Sequence, residues 1–130
     1  MKMMKTLIVY EDGSPELERT ARSIAERLDS ARHEARVRAA SAVTIPEILA
    51  SSLYFFGADA PASPSYAEIA RVVAGMNLAG RKAAYYGASG AAVAWLKGIV
   101  ADSDLQAAGA DLVAPRPDPQ ALAAWLRNIA

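Results

Sequence analysis

Leu53-Tyr54-Phe55-Phe56-Gly57 is an unbroken apolar run near the middle of the chain. A short run without polar alternation is typical of a strand that is covered on both faces. Two further runs, at residues 6–10 and 82–87, have the same character. Strands covered on both faces occur in parallel sheets that are flanked by helices, so the three runs predict the centre of such a sheet.

The segments between these runs contain helix starts. Ser14-Pro15-Glu16 is typical of one, because serine caps the helix, proline fits its first position and glutamate complements its positive end. Thr44-Ile45-Pro46-Glu47 and Ser65-Tyr66-Ala67-Glu68 each match a capping box. Two more helices are predicted after residues 87–90 and from Asp118-Pro119 onward. Strands that alternate with helices favour the α/β class.

The remaining strands are less apolar. Residues 34–39 alternate strictly between charged and apolar side chains, which predicts a strand at the sheet edge with one wet face. Residues 111–114 predict a short last strand. Gly109 is a candidate cap before it, although Gly98, Asp102 and Ser103 weaken the preceding helix at a point that the sequence does not locate. Residues 1–130 thus form one domain of five strands and five helices. Right-handed crossovers then lead to a three-layer, doubly wound parallel five-stranded sheet of order 2-1-3-4-5.

The composition excludes several kinds of chemistry. The chain has 130 residues and no cysteine, which excludes disulfides, thiol nucleophiles and iron–sulfur clusters. Its single histidine excludes a multi-histidine site, and we expect no metal cofactor. Basic and acidic residues number 14 each, so neither nucleic-acid nor membrane binding is expected. The amino terminus lacks a signal-peptide pattern, and we expect a soluble cytoplasmic protein.

Ligands of doubly wound sheets bind beyond the carboxyl ends of the strands, near the point where the strand order reverses. Three loops are predicted to meet there and supply the candidate ligand-binding residues. No catalytic residue is predicted, because nothing resembles a Ser-His-Asp triad or a phosphate-binding P-loop. The first loop offers Glu11, Asp12, Gly13, Ser14 and Glu16, the second Ala58, Asp59 and Ala60 followed by Tyr66, and the third Gly87, Ala88, Ser89 and Gly90.

The chain resembles the flavodoxins over nearly its whole length. The resemblance rests on Leu7-Ile8-Val9-Tyr10 with the helix at residues 22–28, and on residues 53–58. Its most specific part is residues 78–87, which are similar to the family's segment leading into the fourth strand. The resemblance implies a flavodoxin-like fold and a domain that binds FMN and carries electrons one or two at a time.

The first loop departs from the family's pattern. Flavodoxins hold the FMN phosphate in a loop rich in serine and threonine, whereas this loop has one hydroxyl, at Ser14. It also presents carboxylates at Glu11, Asp12 and Glu16. Like charges about 4 Å apart repel each other by roughly 4 kcal/mol at an effective dielectric near 20. The amino terminus of a helix stabilises a negative charge by only about 0.3–1 kcal/mol. Phosphate binding is therefore disfavoured unless a basic side chain from elsewhere lies over the loop.

The loops also lack the aromatic side chains that usually stack on the flavin ring. Tyr66 is the nearest candidate, although a tyrosine after a cap more often packs on its own helix. Trp95 and Trp125 are expected to pack in the core or between helices, and His33 is expected in a surface turn. The sequence therefore predicts few aromatic contacts for a flavin ring at this site.

A second resemblance is to the receiver domains of two-component signalling, which share this topology. The acidic pair Glu11-Asp12 and the segments at residues 109–115 and 118–119 are similar to theirs. However, Gly57 stands in place of the phosphoacceptor aspartate, and Ala114 in place of the lysine. Phosphotransfer by the receiver mechanism is therefore not expected.

Two functional hypotheses follow from these features. The first is a diverged flavodoxin-like domain with a degraded FMN phosphate site, which binds a ligand or a redox or regulatory protein partner and is not a turnover enzyme. The alternative is a working FMN electron-transfer protein with an unusual phosphate site. A homodimer formed through an exposed Trp125 is a further hypothesis on association.

Overall fold

The computed structural model describes residues 3–28 and 30–129, which form six strands and five α-helices. The strands are β1 (Met4–Tyr10), β2 (His33–Ala39), β3 (Leu53–Ala58), β4 (Lys82–Gly87), β5 (Gln106–Ala107) and β6 (Leu112–Val113). The helices are α1 (Pro15–Arg27), α2 (Ile45–Ala50), α3 (Ala67–Val73), α4 (Gly90–Ile99) and α5 (Pro119–Arg127). None of the described helices is long and apolar enough to span a membrane.

The strands form one parallel sheet in the order β2-β1-β3-β4-β5, with β6 also paired to β4. This confirms the predicted order 2-1-3-4-5 and the α/β class. The two most apolar strands are adjacent at the centre, because residues 6–10 of β1 pair with residues 53–57 of β3. The alternating strand β2 lies at the edge beside β1, as its charge pattern predicts.

The fifth position of the sheet differs from the prediction. The helix α4 ends at Ile99 rather than near Gly109, and two short strands, β5 and β6, share the edge of β4. The hydroxyl of Ser103 donates to the carbonyl of Val100 at 2.6 Å, a local bond that competes with helix continuation. Asp104 then adopts a left-handed conformation with φ of 65°, which ends the helical path.

Helices cover both faces of the sheet, so the domain has three layers. The strand β3 divides the core, because Phe55 faces α1 and α5 whereas Tyr54 and Phe56 face α2, α3 and α4. The ring of Trp125 packs edge-on against Phe55 at 5.6 Å between centroids. Trp125 is 7% exposed, which confirms that it packs in the core and means that it does not mark an exposed dimer patch; a homodimer itself stays a prediction.

Two of the three predicted helix caps are present. The Ser14 hydroxyl accepts the Leu17 N–H at 3.3 Å, and Thr44 and Glu47 form both halves of a capping box. The capping box predicted at Ser65 is wrong, since α3 begins one residue later, at Ala67, and has no side-chain cap. The Ser65 hydroxyl instead accepts a backbone N–H from the first loop.

His33 is buried and not in a surface turn. The strand β2 begins at His33 itself, so this residue pairs with Met4 in the sheet. Its Nδ1 atom lies 3.0 Å from the Thr6 hydroxyl oxygen. The expectation of a surface histidine is wrong because the strand extends one residue further than the charge alternation indicates.

Gly57 leaves no space for a side chain, and we expect Gly57→Ala to destabilise the fold. A Cβ atom there would lie 2.2 Å from the Tyr86 ring, which is buried and held by a hydrogen bond to the Val9 carbonyl. The expected loss is about 1–3 kcal/mol in the free energy of unfolding, measured in urea. Gly98→Ala is the control, since a Cβ at Gly98 meets no atom within 4 Å, and it should be neutral or stabilise by about 0.5–1 kcal/mol. Equal effects of the two substitutions would contradict this account.

The capping box at Glu47 predicts a pH-dependent contribution to stability. Partial burial raises the pKa of the Glu47 carboxyl, but hydrogen bonds from Thr44 and the nearby Arg38 guanidinium outweigh burial and hold the pKa below its ordinary value. A lowered folded-state pKa stabilises the fold above the ordinary pKa, and this stabilisation is lost as the pH falls through the folded-state value.

Glu47→Gln should therefore lower the free energy of unfolding near neutral pH, by about 1 kcal/mol or less. The difference from the unsubstituted protein should shrink as the pH falls below about 4. Urea unfolding over a pH series measures this difference. Glu26→Gln, on the exposed side of α1, is the control and should show no such trend. A constant effect of Glu47→Gln at every pH would show that the charge is not responsible.

Candidate functional site at the carboxyl edge of the sheet

The three predicted loops meet at the carboxyl edge of the central strands. The strands β1, β3 and β4 are parallel neighbours, so their carboxyl ends lie side by side. The Glu11 N–H donates to the Gly57 carbonyl at 3.1 Å, and the Ala88 N–H donates to the Ala58 carbonyl at 3.3 Å. These bonds place the candidate residues of the three loops along one edge, in the position that the topology predicts.

The Glu11 carboxylate joins the first loop to the second. Its Oε1 atom accepts the backbone N–H of Asp59 at 3.2 Å. Glu11 and Asp59 are both half-buried, whereas the neighbouring Ala60 is exposed. The Glu11 carboxylate thus satisfies a donor of the neighbouring loop, and its charge is part of the loop structure.

The Asp12 carboxylate fastens the first loop to the turn after β2. It accepts both the backbone N–H of Ser41, at 3.1 Å, and the Ser41 hydroxyl. The Asp12 N–H donates to the Ser65 hydroxyl oxygen at 3.3 Å, which ties the same loop to the second. Ser41 and Ser65 were not among the predicted site residues. No sequence signal points to them, because they lie 29 and 53 positions from Asp12 in loops of their own.

Glu16 faces two arginines at the start of α1. Its Oε2 atom lies 3.0 Å from Arg19 Nη1 and 3.5 Å from Arg116 Nε. Arg116 belongs to the link between β6 and α5, so a basic side chain from elsewhere does lie beside the first loop. The condition that the sequence leaves open, a basic side chain from elsewhere at the first loop, is met at Glu16. Both arginine side chains are largely exposed, so each pair contributes little to stability.

The remaining polar groups of the first loop serve the turn and the helix. Gly13 adopts a φ of 77°, which suits glycine in a left-handed turn. Ser14 is buried, and its hydroxyl accepts the Leu17 N–H as the helix cap. Pro15 has no N–H. The only hydroxyl of the loop is therefore already engaged.

Tyr66 lies in the core beneath the loops. Its hydroxyl donates to the Gly57 carbonyl at 2.7 Å and accepts the Gly57 N–H at 3.0 Å. Its ring packs edge-on against Trp95, with 5.7 Å between centroids. Complete burial, and to a smaller degree the Glu11 and Asp12 carboxylates, raise the pKa of Tyr66 well above its ordinary value. A ring in this position cannot stack on a planar ligand at the edge.

The third loop passes directly into α4. Ser89 caps this helix by accepting the Ala92 N–H at 3.2 Å, and Gly90 is its first residue. Gly87 lies so close to the second loop that a Cβ would be 2.6 Å from the Ala58 carbonyl oxygen. The loop therefore has little chain with which to enclose a ligand. Within the described residues, no group of three or more histidine and acidic side chains could hold a metal ion.

The comparisons with known proteins concern the fold. No protein-family model matches the chain. No curated protein matches it either.

Several solved flavodoxins share the fold over nearly the whole chain. A short-chain flavodoxin associated with a bacterial microcompartment of the PDU type has a TM-score of 0.85 at 11% identity, covering 98% of this chain and 97% of its own. Flavodoxin 2 of Bacillus cereus has a TM-score of 0.80 at 21% identity, covering 96% and 97%. The flavodoxin of Fusobacterium nucleatum, solved bound to flavin mononucleotide, has a TM-score of 0.76 at 10% identity, covering 98% and 97%.

This chain therefore has the flavodoxin-like fold. The resemblance that the sequence indicates is confirmed at the level of the fold, from the first strand to the last helix. At 10–21% identity, the similarity shows the fold alone.

Tyr66→Phe should destabilise the protein because it removes both hydrogen bonds to Gly57. The buried Gly57 N–H would lose its side-chain partner, which costs about 1–3 kcal/mol in the free energy of unfolding. Tyr85→Phe is the matched control, because the Tyr85 hydroxyl has no hydrogen-bond partner within the part of the chain that the structure describes. Urea unfolding compares the two variants, and an equal loss in both would show that ring burial, not the hydroxyl, fixes Gly57.

Proposed function

We propose that this chain is a flavodoxin-fold protein with a degraded flavin site, which acts as a ligand- or partner-binding module and not as an FMN electron carrier. The observation that supports it is the internal use of the acidic side chains in the first loop. The Glu11 carboxylate accepts from Asp59, and the Asp12 carboxylate accepts from Ser41. A phosphate in this loop would have to displace these bonds and would meet both negative charges.

The residues present do not fit the phosphate of FMN. A helix start binds phosphate through free backbone N–H groups. Here the Asp12 N–H is bonded to Ser65, the Leu17 N–H is bonded to Ser14, and Pro15 has none. Two carboxylates flank the donors that remain.

The residues present also do not fit the flavin ring. Tyr66 is buried under the loops, and the third loop gives way to α4 after only a few residues. Within this proposal the partner is a redox or regulatory protein rather than nucleic acid or a membrane, and the protein works in the cytoplasm. It is not a substrate-turnover enzyme.

The second candidate function is an FMN electron carrier with an unusual phosphate site. One observation favours it: the guanidinium of Arg116 lies beside Glu16, at the start of α1. Flavodoxins of the same fold bind FMN, as the Fusobacterium nucleatum structure shows for that protein. In this function Arg116 would supply the positive charge that the first loop lacks.

An FMN titration separates the two candidates. The purified protein should be colourless, and added FMN should keep its fluorescence at micromolar protein, because the first loop repels the phosphate. Circular dichroism on the same sample verifies that the protein is folded. Saturable quenching with a micromolar dissociation constant would overturn the proposed function and favour the electron carrier.

A set of variants tests whether charge is the obstacle. Replacing Glu11, Asp12 and Glu16 with threonine or asparagine should improve FMN affinity, since the carboxylates oppose the phosphate. Glu18→Gln is the control, because Glu18 lies on the outer face of α1 and pairs with Arg22. No gain in the triple variant, or an equal gain in the control, would show that charge in this loop is not what excludes FMN.

A further inference from the structure

A second concave site lies at the amino-terminal edge of the sheet, opposite the candidate site. It is a cavity of about 600 Å³ formed where α1 ends, β2 begins and α5 ends. The strand β2 starts here because His33 pairs with Met4, the first residue of β1. The walls include Arg27, Leu28, Arg32, His33, Leu126 and Arg127.

The arginines of this cavity differ from most of the other arginines of the chain. Among the residues that the structure describes, Arg27, Arg32 and Arg127 form no ion pair with a carboxylate, although they come from three separate elements. Partners are present for most of the others: Arg19, Arg22, Arg38, Arg71 and Arg116 pair with carboxylates, and Arg81 donates to backbone carbonyls.

The charge of the described residues around the cavity favours an anion. The carboxyl-terminal ends of α1 and α5 each contribute about half a negative charge. Three guanidinium groups exceed this, and the described residues that line the cavity include no carboxylate side chain. Asp29 and Ala130 lie outside the described residues and do not enter this balance. The described groups therefore leave a surplus of positive charge.

The floor of the cavity is apolar. Leu28 is 7% exposed and Leu126 is 6% exposed, so both side chains are buried beneath the arginines. Small-molecule sites commonly have a volume of about 300–1,000 Å³ and combine an apolar surface with a few charged groups. Guanidinium groups recognise phosphate through paired N–H donors.

We propose that this cavity binds a small phosphorylated ligand. Its phosphate groups lie between Arg27, Arg32 and Arg127, and its less polar part lies against Leu28 and Leu126. The site uses none of the residues at the carboxyl edge. The proposed phosphate site and the proposed loss of FMN binding can therefore be tested independently of each other.

The test is a titration of the full chain with two probes, inorganic pyrophosphate and ADP, followed by amide chemical shifts in nitrogen-15 NMR. Saturable shifts are expected around residues 27–33 and 122–128. ADP should bind more tightly than pyrophosphate, because its nucleoside also contacts the apolar floor. Arg32→Gln and Arg127→Gln should each weaken binding by about tenfold, since each removes a charge-assisted hydrogen bond.

Arg71→Gln is the matched control, because this exposed arginine lies on α3, away from the cavity, and should leave affinity unchanged. Absence of saturable binding of both probes would overturn the proposal. An equal loss in Arg71→Gln would overturn it too, since binding would then reflect general charge. Shifts confined to residues 11–16 and 87–90 would place the anion at the opposite edge and also overturn it.

Discussion

The ring of Tyr86 lies directly over Gly57 at the end of the central strand β3. The ring occupies the space where a Cβ atom would stand, and its hydroxyl donates to the Val9 carbonyl at 2.7 Å. On the other face the Tyr66 hydroxyl holds both polar groups of Gly57. These contacts hold the neighbouring strands β1, β3 and β4 together where their loops begin. The positions of the loops follow from this contact.

At this edge of the sheet, polar groups of one loop form hydrogen bonds with polar groups of the next. A carboxylate at the end of a parallel strand can remain free for a ligand, or it can accept from the N–H groups of the adjacent loop. Glu11 and Asp12 do the second, through Asp59 and Ser41. Such bonds stabilise the edge without any cofactor. The acidic side chains of the first loop therefore have a structural role at this edge.

The fold was predictable from the sequence because the apolar runs of β1, β3 and β4 are covered on both faces, and hydrophobic burial sets their order. The cap at Ser14 was also predictable, since it is a local bond. The contact between Asp12 and Ser41 was not, because it joins loops whose approach is decided by the sheet. The burial of His33 beside Thr6 depends on pairing 27 positions apart. The sequence shows no pattern that predicts two separate strands, β5 and β6, at the last sheet position, because each strand has only two residues.

The charges of the chain are balanced in total, and some of them lie where the helix dipoles favour them. In this fold helices begin at the carboxyl edge of the sheet and end at the amino edge, so carboxylates at the first and arginines at the second oppose the helix dipoles. Glu16 and Arg127 both follow this rule, at the start of α1 and the end of α5. Once the dipoles are compensated, the excess charge decides what each edge can bind. The charges that stabilise the helix ends are therefore the same charges on which the two proposals depend, Glu16 at the carboxyl edge and Arg127 at the amino edge.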